Sequence, residues 1–165
     1  MRPTLLRRAA VTAAALGLGL TGTGLTATPA GAAPAANTNA PVLVKLTVRG
    51  PDGNLFTGLV LTKGHEVTTA TGGTHRCDGT NGAANPGKVP TPTAALDDAA
   101  KQRGFGWDGT WYAGFDDYSV DTIKNVSGGG SAYWSVAVNG TPTPVGGCQF
   151  RIRTGDKVSF TWTSF

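Results

Sequence analysis

Two cysteines, Cys77 and Cys148, stand 71 positions apart and are the only two in the chain. What they do depends on where the chain resides. A reducing cytosol keeps thiols free, whereas an oxidising exterior joins them. A bridge over so long an interval ties the middle of the chain to its last twenty residues. On the loop-entropy account it is worth about 4 kcal/mol. The alternative is a pair of buried thiols. A zinc site would need suitably spaced histidines, and His65 and His75 are the only two present.

The N-terminus indicates the compartment. Arg2, Arg7 and Arg8 precede an uncharged apolar run from Ala9 to Leu20, and Ala30-Gly31-Ala32 supplies the small residues a signal peptidase requires. The run falls short of the roughly 20 residues that span a bilayer, so residues 1–32 read as a cleaved signal and not as a permanent membrane anchor. Paired Arg7-Arg8 leaves the export route open. The expected location is secreted or cell-surface associated, where a disulfide forms. The signal takes away three of fourteen basic residues and none of ten acidic ones, which leaves a net charge of +1. The remaining Lys and Arg are scattered along the sequence, which speaks against a nucleic-acid partner.

Residues 33–41, rich in Ala, Asn and Pro, read as a flexible leader to one domain over 42–165. Val42, Val44, Leu46 and Val48 alternate with Leu43, Lys45, Thr47 and Arg49, the period of a strand with one buried face. Gly50-Pro51-Asp52-Gly53-Asn54 then predicts a hairpin turn into a strand over Leu55–Thr62. A short strand is expected at Glu66–Thr71, followed by a loop that carries Cys77 as far as Pro92. Thr91 or Thr93 caps a helix rich in Ala, with Asp97 and Asp98 near its positive end and Gly104 as its stop. Further strands are expected over Tyr118–Lys124, Ser131–Val138, Gln149–Arg153 and Lys157–Phe165, with a tight turn at Asn139-Gly140. The predicted class is α+β: a small, mostly antiparallel sheet with one helix packed on a face and one disulfide.

The run Tyr133–Gly140, followed by Gly146-Gly147-Cys148 and by Gly155-Asp156-Lys157-Val158-Ser159-Phe160, resembles the transcobalamin-like C-terminal domain. That is a bacterial extracellular family of largely unknown function. The first hairpin, the helix after Pro92 and Trp111 also fall where the family places its hairpin and helix. The resemblance implies a β-grasp-like fold. In the eukaryotic relatives the domain forms one wall of a cobalamin site whose other wall is a helical barrel. With a single wall, a corrinoid is expected to bind only weakly or with a partner, and no resident cofactor is expected.

Catalytic constellations are thin. His75, Cys77 and Asp78 hint at a thiol nucleophile, but a bridge to Cys148 would remove the thiol. Asp97-Asp98 and Asp116-Asp117 are sequence neighbours whose side chains diverge, so neither pair is a dyad. Asp78 and Asn81 lack the spacing of a calcium loop, and no glycine cluster has the Lys-Ser/Thr of a phosphate loop. The aromatic group remains. Trp107, Trp111, Tyr112, Tyr133 and Trp134 are the expected ligand contacts, with flat faces for a small planar molecule, a glycan or an extracellular protein. Phe160 and Trp162 read as core, while Trp111 and Trp134 fit either role. The sequence therefore indicates a secreted, non-catalytic binding module. A structural or protein-interaction domain is the alternative, and a hydrolase would require an Asp beside His65 or His75 in a pocket.

Overall fold

The computed structural model describes residues 37–165; the expected signal and residues 33–36 of the expected leader lie outside them. Thr38 Oγ1 donates to the Lys88 carbonyl at 2.8 Å. The Asn39 amide donates to the Gly64 carbonyl and accepts from its N–H, at 2.9 and 2.7 Å. These bonds hold the end of the leader stretch against the domain.

Strands β1 (Val42–Gly50) and β2 (Gly53–Thr62) form the expected hairpin. Val44, Leu46 and Val48 are fully buried, while Leu43, Lys45 and Arg49 face solvent, as the alternation requires. A second hairpin pairs β3 (His65–Thr69) with β4 (Gly73–Cys77). Helix α1 (Pro92–Arg103) follows. Thr91 is its N-cap, accepting from the Ala94 N–H at 3.4 Å, and Gly104 closes it in the left-handed conformation at φ 68°. A meander of β5 (Trp107–Tyr112), β6 (Asp117–Ile123) and the short β7 (Val126–Ser127) makes a three-stranded sheet. The chain ends with β8 (Ala132–Val138), the short β9 (Thr141–Pro142) and β10 (Lys157–Ser164).

The main sheet has the order β2-β1-β10-β8-β9. Its outer pairings are antiparallel, but the central pair, β1 with β10, is parallel. This is the β-grasp arrangement, in which the first and last long strands lie side by side and the helix crosses one face. Ala95, Leu96 and Ala99 of α1 pack with Val44, Leu46, Val48, Phe160 and Trp134 into the main core. Each large side chain buried there contributes about 1.5–3 kcal/mol. A smaller cluster forms around the disulfide between Cys77 and Cys148, with Val67 and Tyr118 buried beside it.

Four local expectations differ from the structure. Residues 149–153 form no strand, and the Ile152 N–H instead bonds to the Pro90 carbonyl at 3.0 Å. Residues 73–77, expected in a loop, form β4, whose exposed Thr74 and Arg76 give no apolar period to read. The aromatic run after α1 contains β5, whose alternation is broken by an irregularity between Asp108 and Gly109. Asp97 and Asp98 sit in the middle of α1, which has no acidic residue in its first turn, so the expected dipole role gives way to side-chain pairing.

The crosslink joins the β3–β4 hairpin to the segment leading into β10. Reduction with a mild thiol is expected to lower the unfolding free energy by about 4 kcal/mol. Denaturant unfolding of oxidised and reduced protein measures this. A difference below about 1 kcal/mol would show that the smaller cluster holds without its bridge.

Candidate functional site

Strand β6 pairs with β5 along its length but meets β7 only at Thr122 and Ile123. Strand β8 pairs with β10 throughout but meets β9 only at Ala137 and Val138. Each strand therefore leaves part of one edge without a strand partner, and a cleft runs between these edges. One end, of about 350 Å³, is lined by Thr110, Ser119, Asp121, Gly128 and Tyr133. The next, of about 360 Å³, is lined by Thr93, Ser119, Tyr133, Trp134, Pro142 and Val145. A third depression of about 280 Å³ shares Ser119 and is walled by Tyr112, Phe115, Asp117 and Gly146.

Three of the five expected aromatics line this region. Tyr133, 45% exposed, stands at the junction of the first two compartments and stacks on Phe165 with ring centroids 5.3 Å apart. Trp134 has its ring in the main core and is only 5% exposed, yet it also forms part of the cleft wall. Its indole N–H is buried and meets no acceptor among the described residues, and the Thr93 hydroxyl in the same wall is likewise unpartnered. A buried donor in that condition costs about 1–3 kcal/mol. Tyr112 is half exposed on the third depression beside Phe115, which sequence reasoning did not single out. Phe115 sits in a turn, where no periodicity marks its direction.

Trp107 and Trp111 are elsewhere. Both pack edge-on to Tyr118 in the disulfide cluster, and the Tyr118 hydroxyl lies within 3.0 Å of the Val67 and Gly73 carbonyls. Trp111 also stacks flat on His75, with centroids 4.0 Å apart. Trp107 donates its indole N–H to Asp97 at 3.2 Å.

The glycine crossing is explained by contact. A side chain on Gly146 would collide with the Asp117 carboxylate, and one on Gly147 with the Thr93 hydroxyl. Their absence lets the Cys148 N–H reach Asp117 at 3.1 Å, beside the Tyr118 N–H at 2.7 Å. Burial pushes the Asp117 carboxyl up to about 6, against the lowering effect of those two N–H groups and with a further rise from neighbouring Asp116.

His65 does have an aspartate beside it. Its Nε2 lies 2.9 Å from Asp97, and its Nδ1 lies 2.8 Å from the Lys63 carbonyl, so both ring nitrogens are engaged. The hydrogen bond to Asp97 raises the His65 pKa against the lowering effect of burial. Burial works to raise Asp97, but donors from His65, Lys101 and Trp107 outweigh it and hold the carboxyl below its usual range. His65, Asp97 and Asp98 have metal-ligand atoms within 4.8 Å of one another, but Lys101 and Trp107 already occupy Asp97. Asp78 binds Thr80 and Lys88, while the Asn81 amide bonds backbone groups, so both side chains secure the loop. Cys77 carries no thiol.

No protein-family model matches the chain. No curated protein matches it either. Among solved structures, haptocorrin in complex with Cbi is similar, with a TM-score of 0.50 and 15% identity over 78% of this chain and 26% of that one. This chain thus corresponds to about a quarter of that protein's length. At that identity the likeness concerns fold, and it supports a distant transcobalamin-like fold.

The raised Asp117 and His65 pKa values both mean that the native state binds protons more tightly than the unfolded chain. Their contribution is complete at low pH and fades as pH rises through the folded values. Asp117 alone should make the domain about 2 kcal/mol more stable at pH 4.5 than at pH 7.5. Asp97 works oppositely, but only below its ordinary range near 3.8. Urea midpoints across this window should fall with pH in the native chain and fall much less in Asp117→Asn. Equal slopes in the two proteins would remove Asp117 as the cause.

Proposed function

We propose that the chain is an exported, non-catalytic binding module of the transcobalamin-like C-terminal domain family, whose ligand lies in the β6–β8 cleft. The observation that carries this reading is the exposed Tyr133 ring where the two cleft compartments meet. Tyr133 and Trp134 are strand neighbours and point to opposite faces, so Tyr133 presents its ring to solvent while Trp134 backs the wall from the core. Binding sites commonly combine apolar walls with a few convergent polar groups, and Thr110, Ser119 and Asp121 line the cleft beside the ring. A small planar molecule or a glycan satisfies both demands. Cbi, the compound bound to haptocorrin in the similar structure, is the first ligand to test. A cleft open along its mouth would hold it weakly unless a partner covers that opening. Export accords with the disulfide, which persists in an oxidising compartment. Among the described residues no helix is long and apolar enough to cross a membrane.

A second reading, a structural or protein-interaction domain without a small ligand, draws on Trp107 and Trp111, which support the disulfide cluster. Fluorescence titration separates the two. Cbi or neutral oligosaccharides should quench Trp emission in the native chain. Tyr133→Ala should abolish the effect, and Ser119→Ala should weaken binding by roughly three- to tenfold through loss of one hydrogen bond. If no compound in either class changes emission or is retained at equilibrium dialysis, the second reading replaces the first.

A further inference from the structure

The solvent side of the main sheet carries an arrangement that the cleft does not use. In the parallel pair β1–β10, Lys45 lies opposite Lys157, Thr47 opposite Ser159, and Arg49 opposite Thr161. The alternating residues Leu46, Val48, Val158 and Phe160 are buried in the core, so those six side chains share the outer face. Together they line a shallow depression of about 300 Å³.

Its charge is unbalanced. Among the described residues Lys45, Arg49 and Lys157 have no carboxylate within 4.0 Å, as is also true of Lys63, Arg103, Lys124, Arg151 and Arg153, but here three such cations share one depression. No acidic residue lines the depression. Like charges abreast on a sheet repel, and an anion held between them relieves that cost. The uncompensated charge therefore points to an anionic partner.

Spacing narrows the partner. Arg49 is four residues beyond Lys45 on the same face, about 13 Å along the strand. Between and beside these cationic ends stand the hydroxyls of Thr47, Ser159 and Thr161. We propose that this strip binds an acidic polysaccharide of the cell exterior, with successive anionic groups meeting the lysine pair and Arg49 and sugar hydroxyls meeting the threonine and serine hydroxyls between them. No aromatic ring lines the strip, which sets it apart from the stacking platforms that hold single-stranded nucleic acids. The strip shares no lining residue with the cleft and lies on the other side of the sheet from Trp134.

The exported chain is titrated calorimetrically with polygalacturonate, with a polysaccharide linked through phosphodiesters and with neutral dextran, at about 20 and about 200 mM salt. Binding to one or both acidic polymers, lost with added salt and absent with dextran, is expected; the arm that binds identifies carboxylate or phosphodiester as the anion. Lys157→Gln should weaken binding about tenfold while leaving thermal stability equal or higher, because repulsion from Lys45 is relieved. Thr47→Val, which changes no charge, should weaken it a few fold. Ser119→Ala should leave it unchanged, so failure here and failure of the cleft reading remain separate results. Equal binding of dextran, a Lys157→Gln protein that binds like the native chain, or duplex DNA held as tightly as the acidic glycans would each overturn the proposal.

Discussion

The insertion of β10 between β1 and β8 is the constraint on which the rest of the structure depends. One face of β10 sends Val158 and Phe160 into the core beneath α1; the other places Ser159 and Thr161 in line with Thr47 and Arg49. By pairing with β8 over seven residues, β10 also fixes where the cleft edge lies and commits Trp134 to its position opposite Trp162. A one-residue slip would turn every side chain to the opposite face, so the core and both proposed surfaces share a single register.

The chain reaches β10 through an irregular segment that the smaller cluster holds in place. Cys148 is bonded to Cys77, its N–H meets Asp117, and Gly146 and Gly147 allow the backbone to pass against Asp117 and Thr93. Ile152 then bonds to Pro90 before β10 begins. Without strand pairing, this stretch relies on a covalent tie and a few buried contacts. The near-continuous contact of Gly146 and Gly147 with their neighbours explains the glycines without appeal to a phosphate loop.

How much of this was legible in the sequence varies with the physics of each part. The alternation over Val42–Val48 and the Pro-Asp-Gly turn are local signals, and the first hairpin follows them residue by residue. Thr91, Pro92 and Gly104 mark α1 because capping is equally local. The parallel pairing of β1 with β10 is not local, since nothing in either strand records its partner, and so Lys45 and Lys157 read as scattered charges. The aromatics divide on the same principle. Tyr112, Tyr133 and Trp134 reach the cleft region, whereas Trp107 and Trp111 serve the disulfide cluster, and ring chemistry alone cannot separate these roles. Phe115 carries no such signal, because its exposure comes from a turn.

Two local conflicts stand on opposite sides of the same sheet, and their contrast with His65 is instructive. His65 and Asp97 could be mistaken for a catalytic pair, but every donor and acceptor there has a partner, and both pKa shifts favour the charged pair. Such a cluster holds α1 to β3 and has no bond left to offer. The Trp134 indole and the Lys45–Lys157 pair are the reverse, a donor without an acceptor and two cations without an anion. Folded sequences generally keep local choices consistent with global stability, and the positions that break the rule are where an outside partner can complete what the chain leaves unmet. In this fold the unpaired donor and the abutting cations are features that counting aromatic rings does not reveal.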